Sequence, residues 1–386
     1  MKAIRLLNIW SCKRWVRGQQ NSAQTFSPFS DGVQSRAVSS RSAEDVLKED
    51  VPDREEQHAE GSEIKEVRQP KRKYALLMAY SGREYYGMQI NPGVPTVELV
   101  LISAFINAQC VPKDCTTTVR TWLNLQRCAR TDKGVSALGQ LVSVRLLKSE
   151  DLMEKINAHL PADIRVLGVK QVTKGFNAKS MCEARTYSYT LPTFALAHGT
   201  EPDSSFRLPR EDFHRFHHIL TFYQGTHRYH NFTSHKTADD PSVFRHMFKA
   251  TLQEPYLDMG HEFTTIEITG QSFLLHQIRK MVGLALAVSR GVVPEDFLPA
   301  SVAAENRLKI RTAPGLGLVL EQTYFKWYNK RFGGDGLHSP LTWEDAAPAT
   351  ETFRKDHILP AIVQGELEDL SMTRWLRTLS EPSQDE

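Results

Sequence analysis

The chain has 386 residues, 40% of them hydrophobic and 24% charged, a globular composition that excludes a fibrous repeat and wholesale disorder. The longest apolar stretch, residues 281–288 with one glycine inside, falls far short of the roughly 20 residues that cross a bilayer, so no membrane partner is expected. Five cysteines, an odd number with no CxxC pair, argue against a disulfide scaffold or a structural zinc ribbon and for a reducing intracellular compartment.

The formal charge of +3 conceals a division along the chain. Residues 1–41 carry seven basic side chains against the single acid Asp31, and they place Ile4, Leu7, Trp10, Cys12 and Trp15 at roughly helical spacing opposite Arg5, Lys13, Arg14 and Arg17. That pattern reads as a mitochondrial transit segment. Residues 42–70 hold ten acids against four bases with almost no aromatic or β-branched side chain, and are expected to be a disordered linker. The patch Pro70-Lys71-Arg72-Lys73 reads as the basic edge of a folded domain or a short nuclear-import signal, so mitochondrion and nucleus are both expected locations.

From Tyr74 onward short hydrophobic runs predict strands at 74–80, 141–147, 164–172, 186–191, 263–268 and 318–325. Helical patterns lie between them at 97–108, 151–159, 210–224 and 272–290. In the last of these Phe273, Leu274, Ile278, Met281, Val282 and Leu284 form an apolar stripe, with His276, Arg279 and Lys280 elsewhere on the surface. Mixing without regular βαβ alternation predicts an α+β fold with a largely antiparallel sheet.

The segment Arg127-Cys128-Ala129-Arg130-Thr131-Asp132-Lys133-Gly134-Val135-Ser136 packs cations around one carboxylate just before a strand. Neighbouring positive charge favours the ionised form of Asp132, and an ionised aspartate can act as a nucleophile. The same Asp-Lys-Gly run is also ordinary turn chemistry. His227, His230, His235 and His246 fit no common metal spacing, and no phosphate-cradling glycine loop occurs, so no cofactor and no metal are expected. Cys128 has no basic partner placed by sequence and reads as a buried thiol.

Arg130-Thr131-Asp132-Lys133-Gly134-Val135 resembles the signature of the TruA family of tRNA pseudouridine synthases, where an Arg-Thr-Asp-x-Gly-Val loop presents the catalytic aspartate. The likeness continues in order through Tyr80-Ser81-Gly82, Gly87-Met88-Gln89, Asn157 with Leu160-Pro161 and Asp163-Ile164, Phe176 to Lys179, and Ala184-Arg185-Thr186-Tyr187-Ser188-Tyr189. It then passes through Gly225 to Tyr229, Gln271 to Gly283, Ala313-Pro314 and Gly317-Leu318-Val319-Leu320, covering about residues 73–327. Lys179 stands where the family usually has arginine, which keeps the charge but not the bidentate fork. Arg127-Cys128-Ala129, Ser136 and the tail with Gly333 to Pro340 are similar to the eukaryotic multisite members.

The resemblance implies a pseudouridine synthase fold with two similar halves, 71–195 and 205–330, around one cleft, and a C-terminal extension at 331–386. It implies isomerisation of a uridine in tRNA, or in mRNA or another structured RNA, by Asp132 without metal or organic cofactor. Tyr187 is then expected to put its ring against the flipped base and to be able to take the C5 proton, while Arg185 on the same strand face reaches a phosphate. Arg279 is expected to pair with Asp132, keeping it ionised, and Leu318 to wall the uracil. Arg127, Arg130, Lys133, Lys280 and His227 complete the expected RNA contacts, and the chain is expected to act as a monomer. A tRNA-folding chaperone of the same fold, without turnover, is the alternative expectation.

Overall fold

The computed structural model describes residues 70–115, 118–197 and 205–379. The transit-like segment 1–41 and the acidic linker, but for Pro70, lie outside the described residues. After β1 (Lys71–Tyr80) come the helices α1 (Val97–Asn107) and α2 (Val119–Leu123), a short β2 (Gln126–Arg127) and a long β3 (Ser136–Leu147). Helix α3 (Leu152–Asn157), β4 (Ile164–Gln171), β5 (Ala184–Pro192), α4 (Arg210–Thr221) and β6 (Gly225–Arg228) follow. Then come β7 (Phe244–Leu252), β8 (Tyr256–Asp258), β9 (His261–Gly270), α5 (Gln277–Ser289), α6 (Phe297–Val302) and β10 (Leu318–Tyr324). The tail adds α7 (Lys326–Phe332), α8 (Ala347–Phe353), α9 (Leu359–Asp369) and α10 (Ser371–Thr378).

The described strands form one sheet in the order β4-β1-β3-β10-β5-β9-β7-β6, with β2 beside β3 and β8 beside β9. Every pairing is antiparallel except that of β10 with β3, where Val319 faces Ser136 and Leu320 faces Ala137. The fold is therefore α+β with a largely antiparallel sheet, as the chain's texture predicts. β10 is the seam, because it joins the early strands β4, β1 and β3 to β5, β9, β7 and β6 and brings the start of β3 beside Leu318.

Side-chain alternation decides which face does what. On β5, Tyr187 and Tyr189 lie opposite Ile268 and Ile266 on one face, whereas Thr186 and Thr190 bond through their hydroxyls to Thr269 and Thr265 at 2.8 and 3.0 Å on the other. The apolar face is buried, with α4 packed on β7 and against α5. The polar face opens into a trough of about 680 Å³ lined by those threonines, Glu267, Glu321 and Arg354.

Beyond β10 the tail packs on the sheet. Phe353, Ile358 and Ile362 are buried against Ala79, Leu138 and Val319, and the Trp343 ring lies over Gly168 with the Lys170 ammonium 4.8 Å from its centre. Arg354 clasps Glu321 with both amino groups, at 2.9 and 2.6 Å, between side chains 30% and 16% exposed. A bidentate, partly desolvated pair of this kind stabilises strongly only while both partners are present. Arg354→Ala is expected to cost about 2–3 kcal/mol, seen as a drop of several degrees in a calorimetric melt; an unchanged melt would show the arm to be loosely held.

Two departures from the pattern have physical causes. The helix expected at 272–290 begins at Gln277, because His276 adopts a left-handed backbone and the Gln277 side chain accepts from the Leu274 amide at 2.8 Å. β7 was not expected as a strand, since Arg245, His246 and Lys249 break its hydrophobic run, yet the β9 edge pairs with it.

Candidate active site

Asp132 sits on the turn that leads from β2 into β3. The Val135 amide donates to the Asp132 carbonyl at 3.2 Å, and Gly134 takes φ 77°, the left-handed value that the third position of such a turn requires and glycine supplies. The turn reading of Asp-Lys-Gly thus holds, and the turn carries the Asp132 side chain. The loop is clamped from below by the chain after β1. Met88 donates its amide to Thr131 O at 3.2 Å, Gly134 its amide to Tyr85 O at 3.2 Å, and Gly82 its amide to the Ser136 hydroxyl at 2.9 Å. A side chain on Gly82 would meet the Val135 carbonyl oxygen at 2.2 Å, so this approach is open to glycine alone.

A buried polar network fixes the approach to the loop. The Tyr80 hydroxyl bonds the Thr131 hydroxyl at 2.8 Å, and the Gln140 amide group bonds both the N–H and the carbonyl of Ala129, at 3.1 and 2.9 Å. Burial pushes the Tyr80 phenol up to about 12, so it serves as a neutral hydrogen-bonding group.

The carboxylate faces α5. Arg279 Nη1 lies 3.3 Å from Asp132 Oδ2, both side chains 18% exposed, while Arg279 Nε donates to Ala313 O at 2.7 Å and the Ala313 amide returns a bond to Arg279 O at 3.2 Å. The guanidinium is thereby held in place before it meets the carboxylate. His276 Nε2 approaches the same Oδ2 at 3.7 Å. Oδ1 has no partner among the described residues. Chemically this is a half-buried carboxylate with one oxygen anchored to a cation and the other open, suited to nucleophilic or charge-stabilising work.

The structure brings four of the expected residues to this place. Besides Asp132 and Arg279, Leu318 is buried one residue before the Val319–Ser136 pair, and Lys133, the second residue of the turn, places its ammonium 4.1 Å over the exposed Tyr86 ring. Tyr187, on β5 opposite Leu320, is 8% exposed and meets Phe273 edge to face at 5.2 Å. Burial raises its phenol above the ordinary range. Arg130 is exposed beside the turn, with no hydrogen bond or ion pair among the described residues.

Other expected RNA contacts are turned inward or lie apart. Arg127 bonds Glu98 at 2.5 Å, and the Glu98 side chain is only 5% exposed. Arg185 donates to the carbonyls of Cys128, Cys182 and Gln271 at 3.1, 3.3 and 2.9 Å, stitching β5 to the approach of the loop. Lys280 donates to Asn231 O at 3.4 Å. His227 lies on β6, the far edge strand, where its ring stacks on Phe222 and contacts Gln224 O at 3.0 Å. His276 is the residue that the pattern overlooked, and only its place one helical turn before Arg279 pointed to it.

Cys128 is buried, and burial raises its thiol well above the usual value. The neighbouring Cys182, whose Sγ donates to Ala184 O at 3.2 Å, has its thiol lowered by its interaction with Cys128 and by the nearby Arg185. Thiolate reacts and thiol does not, so alkylation of the native chain is expected to label Cys182 before Cys110, Cys115 and Cys128, with a rate that rises with pH. Peptide mass spectrometry across pH 6–9 checks this, and equal labelling of the four would contradict it. Among the described residues no three His, Cys, Asp or Glu side chains are grouped to hold a metal ion.

The chain resembles known proteins. A family profile described as tRNA pseudouridine synthase matches residues 219–326. The mouse (Mus musculus) protein named pseudouridylate synthase 1 homolog is 49% identical over 315 residues, 80% of this chain and 74% of that protein. Its human (Homo sapiens) counterpart is 48% identical over 79% of this chain and 72% of that protein. The protein named tRNA pseudouridine synthase 1 from the yeast Yarrowia lipolytica is 32% identical over 74% and 70% of the two chains.

Proposed function

Since the chain belongs to the TruA-type tRNA pseudouridine synthases and is an isomerase acting on tRNA, we propose that Asp132 is its catalytic carboxylate. The observation that carries this is the division of labour on one side chain: Oδ2 is held at 3.3 Å by Arg279, and Oδ1 is open. The target uridine leaves its stack, at a cost of a few kcal/mol, and enters the cleft between the Asp132 turn and the start of α5. Tyr187 replaces part of the lost stacking and Leu318 forms the apolar wall. Asp132 attacks ribose C1′ or base C6, the N1 to C1′ bond breaks, the uracil turns, C5 bonds to C1′, and the bond to Asp132 is released. One proton leaves C5 and one joins N1, so composition and redox state are unchanged.

Binding in this reading comes from a local basic surface, because the body after residue 70 carries a balance of only +3. Arg130 and Lys133 are its centre, since Arg127 is tied to the buried Glu98 and Arg185 to three backbone carbonyls. The tail already covers the apolar patch at Ala79, Leu138 and Val319, which supports a monomer. The basic segment 1–41 and the patch at Pro70 support delivery to the mitochondrion, the nucleus or both. Other structured RNAs, mRNA among them, are substrates where they present the same flipped uridine.

The test is a binding titration of tRNA at rising salt. With roughly four phosphate contacts, affinity should fall on the order of a hundredfold between about 50 and 200 mM salt, and Arg130→Ala or Lys133→Ala should each lower the slope by about 1. A flat dependence would overturn the basic surface.

A further inference from the structure

His276 occupies the turn between β9 and α5 with φ 63° and ψ 0°. This is the left-handed region, which glycine enters freely and an L side chain enters only at a cost. Non-glycine residues held there need a compensating reason, and such reasons cluster at functional sites. The turn is fixed by the Lys280 amide on His276 O at 3.0 Å and by the Leu274 amide on the Gln277 side chain at 2.8 Å.

What the backbone delivers is the ring. The His276 side chain remains 33% exposed, and Nε2 stands 3.7 Å from Asp132 Oδ2. Arg279, three residues on and so on the same side of the helix start, reaches that same oxygen at 3.3 Å. The imidazole has no other hydrogen bond or ion pair among the described residues. A ring placed for packing would be buried, and a ring placed for solvent would not need a strained backbone.

We propose that His276 is a positioning residue for the isomerisation. Together with Arg279 it clamps Oδ2, so that Oδ1 alone is presented to the nucleotide, and the 3.7 Å approach shortens to a hydrogen bond when RNA closes the cleft. This rests on the reading of Asp132 as the catalytic carboxylate. The strained backbone at residue 276 is the means by which a side chain preceding α5 can turn back on the carboxylate.

Glycine at this position removes the ring while relieving the backbone, which separates the two roles. Full-length His276→Gly is expected to melt no lower than the wild type and to bind tRNA with a Kd within about twofold. Its single-turnover rate at saturating tRNA should fall about 10- to 100-fold, the scale of a misplaced reacting group. Added imidazole should recover part of that rate, as should His276→Asn, which tolerates the left-handed backbone and keeps an N–H donor. A wild-type rate in His276→Gly would overturn the proposal, as would a loss confined to Kd or a slow rate that neither imidazole nor asparagine mends. Asp132→Asn is run beside it: a wild-type rate there would refute the premise about Asp132 instead of the role of His276.

Discussion

Asp132→Asn is expected to lose at least about a thousandfold in the single-turnover rate of pseudouridine formation, as removal of a nucleophile does in enzymes whose groups act as a unit. That loss corresponds to about 4 kcal/mol of barrier. The substitution is isosteric and leaves the Asp132 to Val135 turn intact, because the turn bond uses the backbone carbonyl and not the carboxylate. Arg279 also keeps its bonds to Ala313. Binding of tRNA should therefore be retained, or should tighten slightly as a negative charge facing phosphates is removed. Loss of binding in step with rate would mean that Asp132 supports the RNA surface and not the chemistry, the behaviour a folding chaperone would show.

Arg279→Gln is expected to cost about 100- to 1000-fold in the same assay, the scale of removing a fixed electrostatic partner from a reacting group. The change takes away the only guanidinium within 4 Å of Asp132 among the described residues, together with the Nε bond to Ala313 at 2.7 Å. Arg279→Lys restores the charge but has no planar fork to hold Ala313 and the carboxylate together, so its rate should lie between those of glutamine and the wild type. A lysine variant no better than the glutamine variant would place the role of Arg279 in geometry alone. A glutamine variant at full rate would remove Arg279 from the site.

How far the sequence announced this arrangement depends on the kind of information each residue carries. β5 and β9 were legible because alternation is local, and the segment around Asp132 stood out because three cations crowd one acid beside a glycine turn. Pairing between distant segments was not legible. That β10 would run parallel to β3, some 180 residues earlier, and close the sheet between β3 and β5 follows from long-range packing. Charge was misleading for the same reason. Arg127 reads as a free cation until Glu98, from the buried side of α1, folds back against it, and Arg185 reads as a phosphate ligand until three backbone carbonyls converge on it. Burial at β5 likewise raises the Tyr187 phenol, and sequence alone could not say how deeply that strand would lie. His276 was hidden because nothing in Leu-His-Gln-Ile-Arg reveals that the histidine backbone is left-handed.

The most direct measurement uses tRNA carrying tritium at uracil C5, incubated with the full chain under single-turnover conditions while released tritium, pseudouridine and free uracil are all counted. One equivalent of tritium for each pseudouridine formed, with no free uracil, is the predicted result, since the base is cut from C1′ and rejoined through C5 without leaving the cleft. Free uracil, or tritium released without pseudouridine, would contradict an isomerisation carried out at Asp132.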